Sequence, residues 1–319
     1  MNIQTYKTNI QKHIHYKVTT TCMYIYIYKL HLEQTRMDSD TNNTTINPRP
    51  NNPFNVGAME NNLPLILETI EACKINNDNN NYNINARNMV GQTPLYISVM
   101  QNNVDMVRVL LENGALVDSV VKDSGDTSLG LATRNKYNDI VNILVNKGAK
   151  INRQIGDTGD TVLHRATYKN YPELLDLFLN NGGDVNVKNK RGYTPLHIAA
   201  RNDHEHIARY LIENGAHVNA IDKYLSTPLH CAAYWGNEKT LKELLKNGGI
   251  CEMKNNKLMS VYDVAKDEKR EKCMYLIHLY LSEWYYKRPV YLILKRYGEM
   301  FDTDMSHLER YVIEYLVGA

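Results

Sequence analysis

Apolar and small residues recur along this chain at fixed distances from a threonine. Each of these anchor threonines is followed two positions later by Leu and five positions later by Ala or Ser, and an apolar pair precedes a glycine at anchor plus 21. Successive anchors are 33 or 34 residues apart, a period typical of a chain built from stacked supersecondary units. The anchors of the five full repeats are Thr93, Thr127, Thr161, Thr194 and Thr227.

Each full repeat predicts an inner and an outer helix. Pro195 suits the first turn of a helix, and Thr194 before it is placed to cap that turn. This inner helix is predicted to end at Asp203, a residue type that tolerates the left-handed conformation. From Glu205 to Asn214, apolar residues follow helical spacing and predict the outer helix. The residues matching Asp203 are Asn102, Lys136, Asn170 and Gly236. The lysine predicts a less well capped inner helix in the second full repeat.

The motif Thr194-Pro195-Leu196-His197 and its copy Thr227-Pro228-Leu229-His230 resemble the ankyrin repeat. The resemblance covers roughly residues 52 to 280. It implies an all-α solenoid in which each repeat has a short turn, an inner helix, an outer helix and a β-hairpin finger. The residues after the array add a helical C-terminal cap to the predicted fold. The Asn-rich composition is similar to that of viral, symbiont and other AT-rich-genome members of the family.

Three regions are predicted. Residues 1–51 form a basic and polar leader, disordered or weakly structured, with Met37 as a candidate alternative start. Residues 52–281 form an ankyrin-repeat domain of six to seven repeats, in which the opening repeat anchored at Asn52 and the closing repeat anchored at Ser260 are degenerate. The run from Ile75 to Asn83 is predicted to be a loop inserted in a finger. Residues 282–319 form a helical tail, either a cap on the solenoid or a docking module.

Composition limits the cellular setting and the partners. A net charge of +2 supplies no case for nucleic acid or an acidic membrane as a partner. Five cysteines without paired short spacing indicate a reduced cytoplasmic or nuclear setting. We expect a soluble protein, because no apolar run reaches the length of a membrane span. We also expect a monomer.

Motifs for catalysis are not found. The sequence has no phosphate-binding glycine loop, no serine nucleophile elbow and no zinc-type cysteine spacing. His164, His197 and His230 share one repeat position, which favours a structural hydrogen bond to neighbouring backbone over chemistry. We therefore expect no enzyme, no cofactor and no metal site. An active site assembled from distant residues stays open as an alternative.

Recognition of another protein is the predicted function. Residues seven and eight positions after each anchor end the inner helix, and the resemblance implies that they line a concave face beside the fingers. Tyr, Trp and Arg there are the residue types that dominate interface energetics. The alternative for Tyr168 and Trp235 is packing on the adjacent repeat. The candidate binding residues are Arg134, Tyr168, Lys169, Arg201, Asn202, Tyr234 and Trp235, with the finger cations Lys188, Lys190, Arg191 and Lys223.

A second hypothesis concerns the tail. Some viral and symbiont ankyrin proteins carry a C-terminal F-box-like segment, and the architecture here is similar. The resemblance then implies a substrate adaptor of a ubiquitin ligase, although the Leu-Pro opening of such a box is not found.

Overall fold

The computed structural model describes residues 52–75 and 83–282. The predictions for the leader, for the Asn-rich run between 76 and 82 and for the tail after Ser282 lie outside the described residues. In the described part, fourteen helices form seven consecutive pairs. The pairs are α1 Pro53–Met59 and α2 Leu63–Ile75, α3 Pro94–Met100 and α4 Val104–Glu112, α5 Ser128–Asn135 and α6 Asn138–Asn146, α7 Val162–Lys169 and α8 Pro172–Asn180, α9 Pro195–Arg201 and α10 Glu205–Glu213, α11 Pro228–Trp235 and α12 Glu238–Lys246, and α13 Val261–Asp267 and α14 Glu271–Ser282.

The inner helices begin where the anchors predict. The Thr127 Oγ1 accepts a hydrogen bond from the Gly130 N–H at 3.1 Å. In the opening repeat, the Asn52 Oδ1 accepts from the Phe54 N–H at 3.0 Å. Each of these bonds satisfies one of the N–H groups that the first turn of a helix leaves free.

The inner helices end in the left-handed conformation at the predicted residues, with φ of 54° at Asp203 and 76° at Gly236. Lys136 also adopts it, with φ of 58°. Its ammonium lies 4.9 Å from the centre of the Tyr171 ring and 3.8 Å from the Glu173 carboxylate. The second full repeat therefore keeps the same helix end, and the lysine is placed by contacts with the next repeat.

The core of the array is shared between neighbouring pairs. Each inner helix packs against the inner helix of the next pair. Ala199, Ala200, Ala232 and Ala233 are fully buried, and their small side chains let successive inner helices approach closely. On the outer side Leu211 and its neighbours are also buried. A pair alone would leave this apolar surface in water, so the pairs are stable only as a stack.

The fingers differ in detail from the β-hairpins that the resemblance implies. Within the described ranges, β-pairing is limited to isolated antiparallel bridges between Val120 and Thr127 and between Ile155 and Asp160. The finger tips are instead joined to each other by backbone hydrogen bonds. The Lys190 N–H donates to Thr158 O at 3.0 Å, Lys223 N–H to Arg191 O at 3.1 Å, and Asn256 N–H to Tyr224 O at 2.8 Å. These bonds make the tips one continuous edge.

Asparagine side chains fix the spacing between fingers. The Asn186 Nδ2 donates to Gly215 O at 3.0 Å, and its Oδ1 accepts from the His217 N–H at 2.8 Å. Asn219 makes the same two bonds one repeat later, to Gly248 O and from the Ile250 N–H. The amide thereby connects each finger to the turn after the next outer helix.

Candidate protein-binding surface

The three repeated histidines are structural, as their shared position predicted. The Thr194 N–H donates to the His197 Nδ1 at 3.1 Å, and the His197 Nε2 contacts Ser226 O at 3.1 Å. A backbone N–H only donates and a carbonyl only accepts, so His197 is neutral with its proton on Nε2. His164 and His230 make the corresponding contacts to Tyr193 O and Met259 O. Each imidazole therefore links its own cap to the following repeat.

Burial sets the ionisation of these histidines. The pKa of His197 is lowered to about 4, mainly by burial and also by the nearby Lys188, His164 and His230, against the raising effect of the bond to Ser226. Burial also lowers the pKa of His164 and of His230. All three side chains thus favour the neutral form, which suits a bridge between two backbone groups.

The second full repeat replaces this histidine by Gly130. A side chain at Gly130 would place its Cβ 2.5 Å from Asp126 Oδ1 and 2.8 Å from Arg165 Nη1. The glycine makes room for an ion pair in which Arg165 lies 2.8 Å from the buried Asp126 carboxylate, and Arg134 approaches the same carboxylate at 3.4 Å. The candidate Arg134 is therefore engaged with a carboxylate of its own repeat, the same one that binds Arg165 of the next repeat.

The candidate residues of the fourth and fifth full repeats form a cluster. Tyr234 and Trp235 end α11 with 45% and 46% of their surface exposed, and their rings meet edge to face with centroids 5.4 Å apart. The Arg201 guanidinium, one repeat earlier, lies 5.3 Å from the centre of the Trp235 ring. We name Arg201, Tyr234 and Trp235 the aromatic cluster.

Tyr168 continues this surface into the third full repeat. Its side chain is 58% exposed, and the Lys169 ammonium lies 5.9 Å from its ring centre. Trp235 is about half exposed and also contacts Arg201 of the adjacent repeat, so packing on that repeat leaves much of its ring accessible. Asn202 has a structural role, because its Nδ2 donates to Ile198 O at 2.8 Å at the end of α9. Binding by these residues stays a prediction.

The finger cations are all exposed. Lys188, Lys190 and Arg191 lie on one finger and Lys223 lies on the next. The Lys188 ammonium donates to Ile221 O at 2.8 Å, and that of Lys190 approaches Gly156 O at 3.3 Å. Across the part of the chain that the structure describes, Lys188, Lys190, Arg191 and Lys223 make no ion pair with a carboxylate. An open cavity of about 510 Å³ lies between two of these fingers, with Lys188, His217 and Ile221 in its lining.

Other exposed residues at the finger tips were not predicted from the sequence. Tyr224, Leu225 and Leu258 have 56%, 46% and 74% of their surface exposed. The sequence does mark the two leucines as unusual, because Gly occupies the corresponding repeat position in the four preceding fingers. They extend the candidate surface along the edge of the fingers.

The buried cysteines among the described residues are not activated for chemistry. Burial raises the pKa of the Cys231 and Cys251 thiols to about 12 and that of Cys273 to about 11. These thiols are therefore protonated and unreactive at neutral pH. In residues 52–75 and 83–282, no group of three or more His, Cys, Asp and Glu side chains could hold a metal ion.

Comparison with known families matches the repeat pattern and the helix pairs. A family model described as ankyrin repeats in three copies matches residues 55–155 and 163–256, more than half of the chain. The chain belongs to the ankyrin repeat family. A second model, ankyrin repeats in many copies, matches residues 135–179 of this ankyrin repeat protein. No curated protein matches the sequence.

Among solved structures, the chain is similar to the crystal structure of the ankyrin repeat domain of Bcl-3, a unique member of the IkappaB protein family. The TM-score is 0.63 at 23% sequence identity, and the alignment covers 73% of this chain and 100% of the other. At this identity the likeness establishes the fold and does not extend to partners.

Family membership has a general functional meaning. Ankyrin repeats generally mediate protein–protein interaction, and their fold is typically a non-catalytic interaction domain. No helix among the described residues is both long enough and apolar enough to cross a membrane.

Proposed function

We propose that this ankyrin repeat protein is a non-catalytic scaffold or adaptor that binds another protein across its third to fifth full repeats. The observation that supports this most directly is the aromatic cluster. Its Tyr and Trp rings are about half exposed, contact each other and are flanked by a guanidinium from the neighbouring repeat. We further propose that the protein acts as a cytoplasmic or nuclear monomer.

The physical argument for the cluster is preorganisation. Binding energy at interfaces is concentrated in a few Trp, Tyr and Arg side chains, each contributing on the order of 2 kcal/mol when a partner buries it. Contacts with Arg201 already restrict the Trp235 ring in the free protein. Less side-chain entropy is then lost on association.

The charge of the fingers indicates the kind of partner. Lys188, Lys190, Arg191 and Lys223 are exposed and carry no carboxylate partner within the described ranges. An acidic partner would be attracted to this edge, and the effect would appear mainly in the association rate and its salt dependence.

A paired substitution tests the proposal. Tyr234→Ala with Trp235→Ala should reduce capture of the partner from the native cell by about 30-fold or more, the amount that 2 kcal/mol represents. Quantitative mass spectrometry of material purified on the full chain measures it. The matched control is Tyr275→Ala, which removes a 66% exposed ring from α14. Equal capture by the paired variant and wild type would contradict the proposed surface.

The ubiquitin-ligase adaptor hypothesis depends on residues after Ser282, which lie outside the described part. It rests on architecture alone. Deleting residues 289–319 tests it. Loss of ligase components from the purified material, with the unfolding temperature unchanged, would support a docking tail, whereas unfolding of the array would indicate a cap.

A further inference from the structure

The finger position two residues before each anchor has an unusual backbone. It adopts the left-handed conformation in six successive fingers. In the first four it is occupied by glycine, with φ between 61° and 79°. In the last two it is occupied by Leu225 with φ of 57° and Leu258 with φ of 60°. The four glycines are Gly91, Gly125, Gly159 and Gly192.

Leucine is a costly choice at this position. A Cβ crowds the following carbonyl in the left-handed conformation, so bulky residues rarely adopt it. The cost is not offset by packing, because Leu225 and Leu258 are 46% and 74% exposed. Residues whose backbone strain is not offset by packing are typical of functional sites.

The surroundings of the two leucines are aromatic and cationic. The Asn256 N–H donates to Tyr224 O at 2.8 Å, which joins the two tips. Lys223 and Lys257 are exposed beside them. The nearby Asp222 carboxylate is buried and accepts from the Tyr224 and Ser226 N–H groups at 2.7 and 2.8 Å. We name Lys223, Tyr224, Leu225, Lys257 and Leu258 the leucine edge.

We propose that the leucine edge binds an acidic peptide segment whose apolar side chains lie against Leu225 and Leu258. This inference rests on the proposed function and adds the chemistry of the partner at the fingers. The two leucines and Tyr224 supply apolar contact, and the lysines on both tips supply complementary charge. The backbone bond between the tips holds the two leucines in a fixed relation.

A peptide fits the edge better than the other ligands that positive charge attracts. Nucleic acid would use the lysines and would leave both leucines in water, since its outer surface is phosphate. An anionic membrane could accept Lys and Leu together. The leucines, however, lie on rigid turns at two linked tips and do not form the long amphipathic helix that typically lies in a bilayer surface.

The test begins with a selection. A random displayed peptide library is selected on the full-length protein, and binding of the selected peptides is then measured on purified variants. We expect enriched peptides that combine Asp or Glu with Leu, Ile or Phe. Leu225→Gly and Leu258→Gly should each weaken the peptides by about 10-fold, as expected for losing one apolar anchor.

The same two variants provide an internal check on folding. Glycine suits the left-handed turn, so each variant should unfold at the same temperature as wild type or at a higher one. Weaker binding together with equal or greater thermal stability is a combination that a merely structural leucine would not give. The matched control is Met89→Ala, which removes an 85% exposed side chain. Met89 lies in a finger several repeats before the two leucines, so this variant should leave peptide affinity unchanged.

Several results would overturn the inference. They are a selection that enriches no acidic and apolar peptides, peptides that bind both glycine variants as tightly as wild type, or a fall in unfolding temperature in those variants. Leucine-dependent binding to phosphatidylserine vesicles without any selected peptide would identify a membrane contact instead. Because the selection does not use the native partner, the leucine edge can fail while the Tyr234 and Trp235 test succeeds, and the reverse also holds.

Discussion

The second and fourth full repeats have the same arrangement of helices but join to the following repeat by different chemistry. In the fourth, the neutral His197 bridges the Thr194 N–H and Ser226 O. In the second, Gly130 leaves space for Asp126 and Arg165, whose charged groups lie 2.8 Å apart. The same place between two repeats can thus hold either a hydrogen-bonded imidazole or an ion pair, and each of them joins the repeats.

The difference also affects which contacts the candidate binding side chains make. Arg134, seven residues after its anchor, is drawn to the Asp126 carboxylate of its own repeat. Arg201 occupies the same position in the fourth repeat and faces the Trp235 ring. The same candidate position therefore pairs with a carboxylate in one repeat and contacts an aromatic ring in another, where we propose that it meets a partner. Three predictions test the comparison, from the largest expected effect to the smallest.

The histidine bridges should make stability fall in mild acid. The pKa of His197 is about 4 in the folded protein and 6.5 when unperturbed. Between these two pKa values the unfolded chain binds more protons than the folded one. The contribution of His197 to the free energy of unfolding is therefore complete above pH 6.5 and decreases as the pH falls toward 4. His197 alone should contribute a loss of roughly 2 kcal/mol between pH 6.5 and 4.5, with His164 and His230 acting in the same direction.

Urea unfolding at a series of pH values measures this loss. His197→Gln should be less stable than wild type at neutral pH and should show a shallower dependence on pH. A wild-type free energy of unfolding that stays flat through the window would contradict the assignment of neutral, buried histidines.

The ion pair of the second repeat should depend on its carboxylate. Asp126→Asn keeps the size of the side chain and removes the charge that Arg165 and Arg134 share. We expect a loss of about 2 kcal/mol, because Arg165, with 18% of its side chain exposed, would remain largely buried without a counter-charge. The free energy of unfolding in urea at pH 7 measures it.

The matched control for this variant is Glu238→Gln. Its ion pair with Lys272 joins side chains that are 38% and 79% exposed, so the change should stay below about 0.5 kcal/mol. Equal effects of the two substitutions would mean that the Asp126 pair contributes no more than a surface contact.

The smallest effect concerns the helix end of the second repeat. Lys136→Gly should raise stability by about 0.5 kcal/mol, because relief of the left-handed backbone exceeds the loss of its contacts with Tyr171 and Glu173. The reciprocal change Gly236→Ala, at the matching position of the fifth repeat, should lower stability by about 1 kcal/mol. Thermal unfolding compares the two, and a stabilising Gly236→Ala would exclude the conformational explanation.

The repeat phase explains why so much of the fold could be predicted. An N-cap threonine, a proline after it and a residue that tolerates left-handed backbone act within a few positions of each other, so the starts and ends of the inner helices follow from local chemistry. The finger details could not be predicted in the same way. Whether Val120 pairs with Thr127 as an isolated bridge or within a longer hairpin depends on contacts with neighbouring fingers.

The candidate site was predicted only as a set of positions. Phase placed Tyr168, Tyr234 and Trp235 at the ends of their helices, but it could not distinguish exposed rings from packed ones. The repeat phase also predicted Arg134 and Arg201 equally as binding residues. In the structure Arg134 pairs with Asp126, eight residues before it, whereas Arg201 contacts the Trp235 ring. Leu225 and Leu258 were missed because apolar residues were expected in the core.

The sequence by itself determined the family, the order of the helices and the structural role of the histidines, since each follows from a pattern that repeats every 33 or 34 residues. The tertiary structure decided which positions of that pattern are free to meet a partner. Exposure and charge pairing depend on side chains one repeat away, and these differ from repeat to repeat even where the backbone is the same.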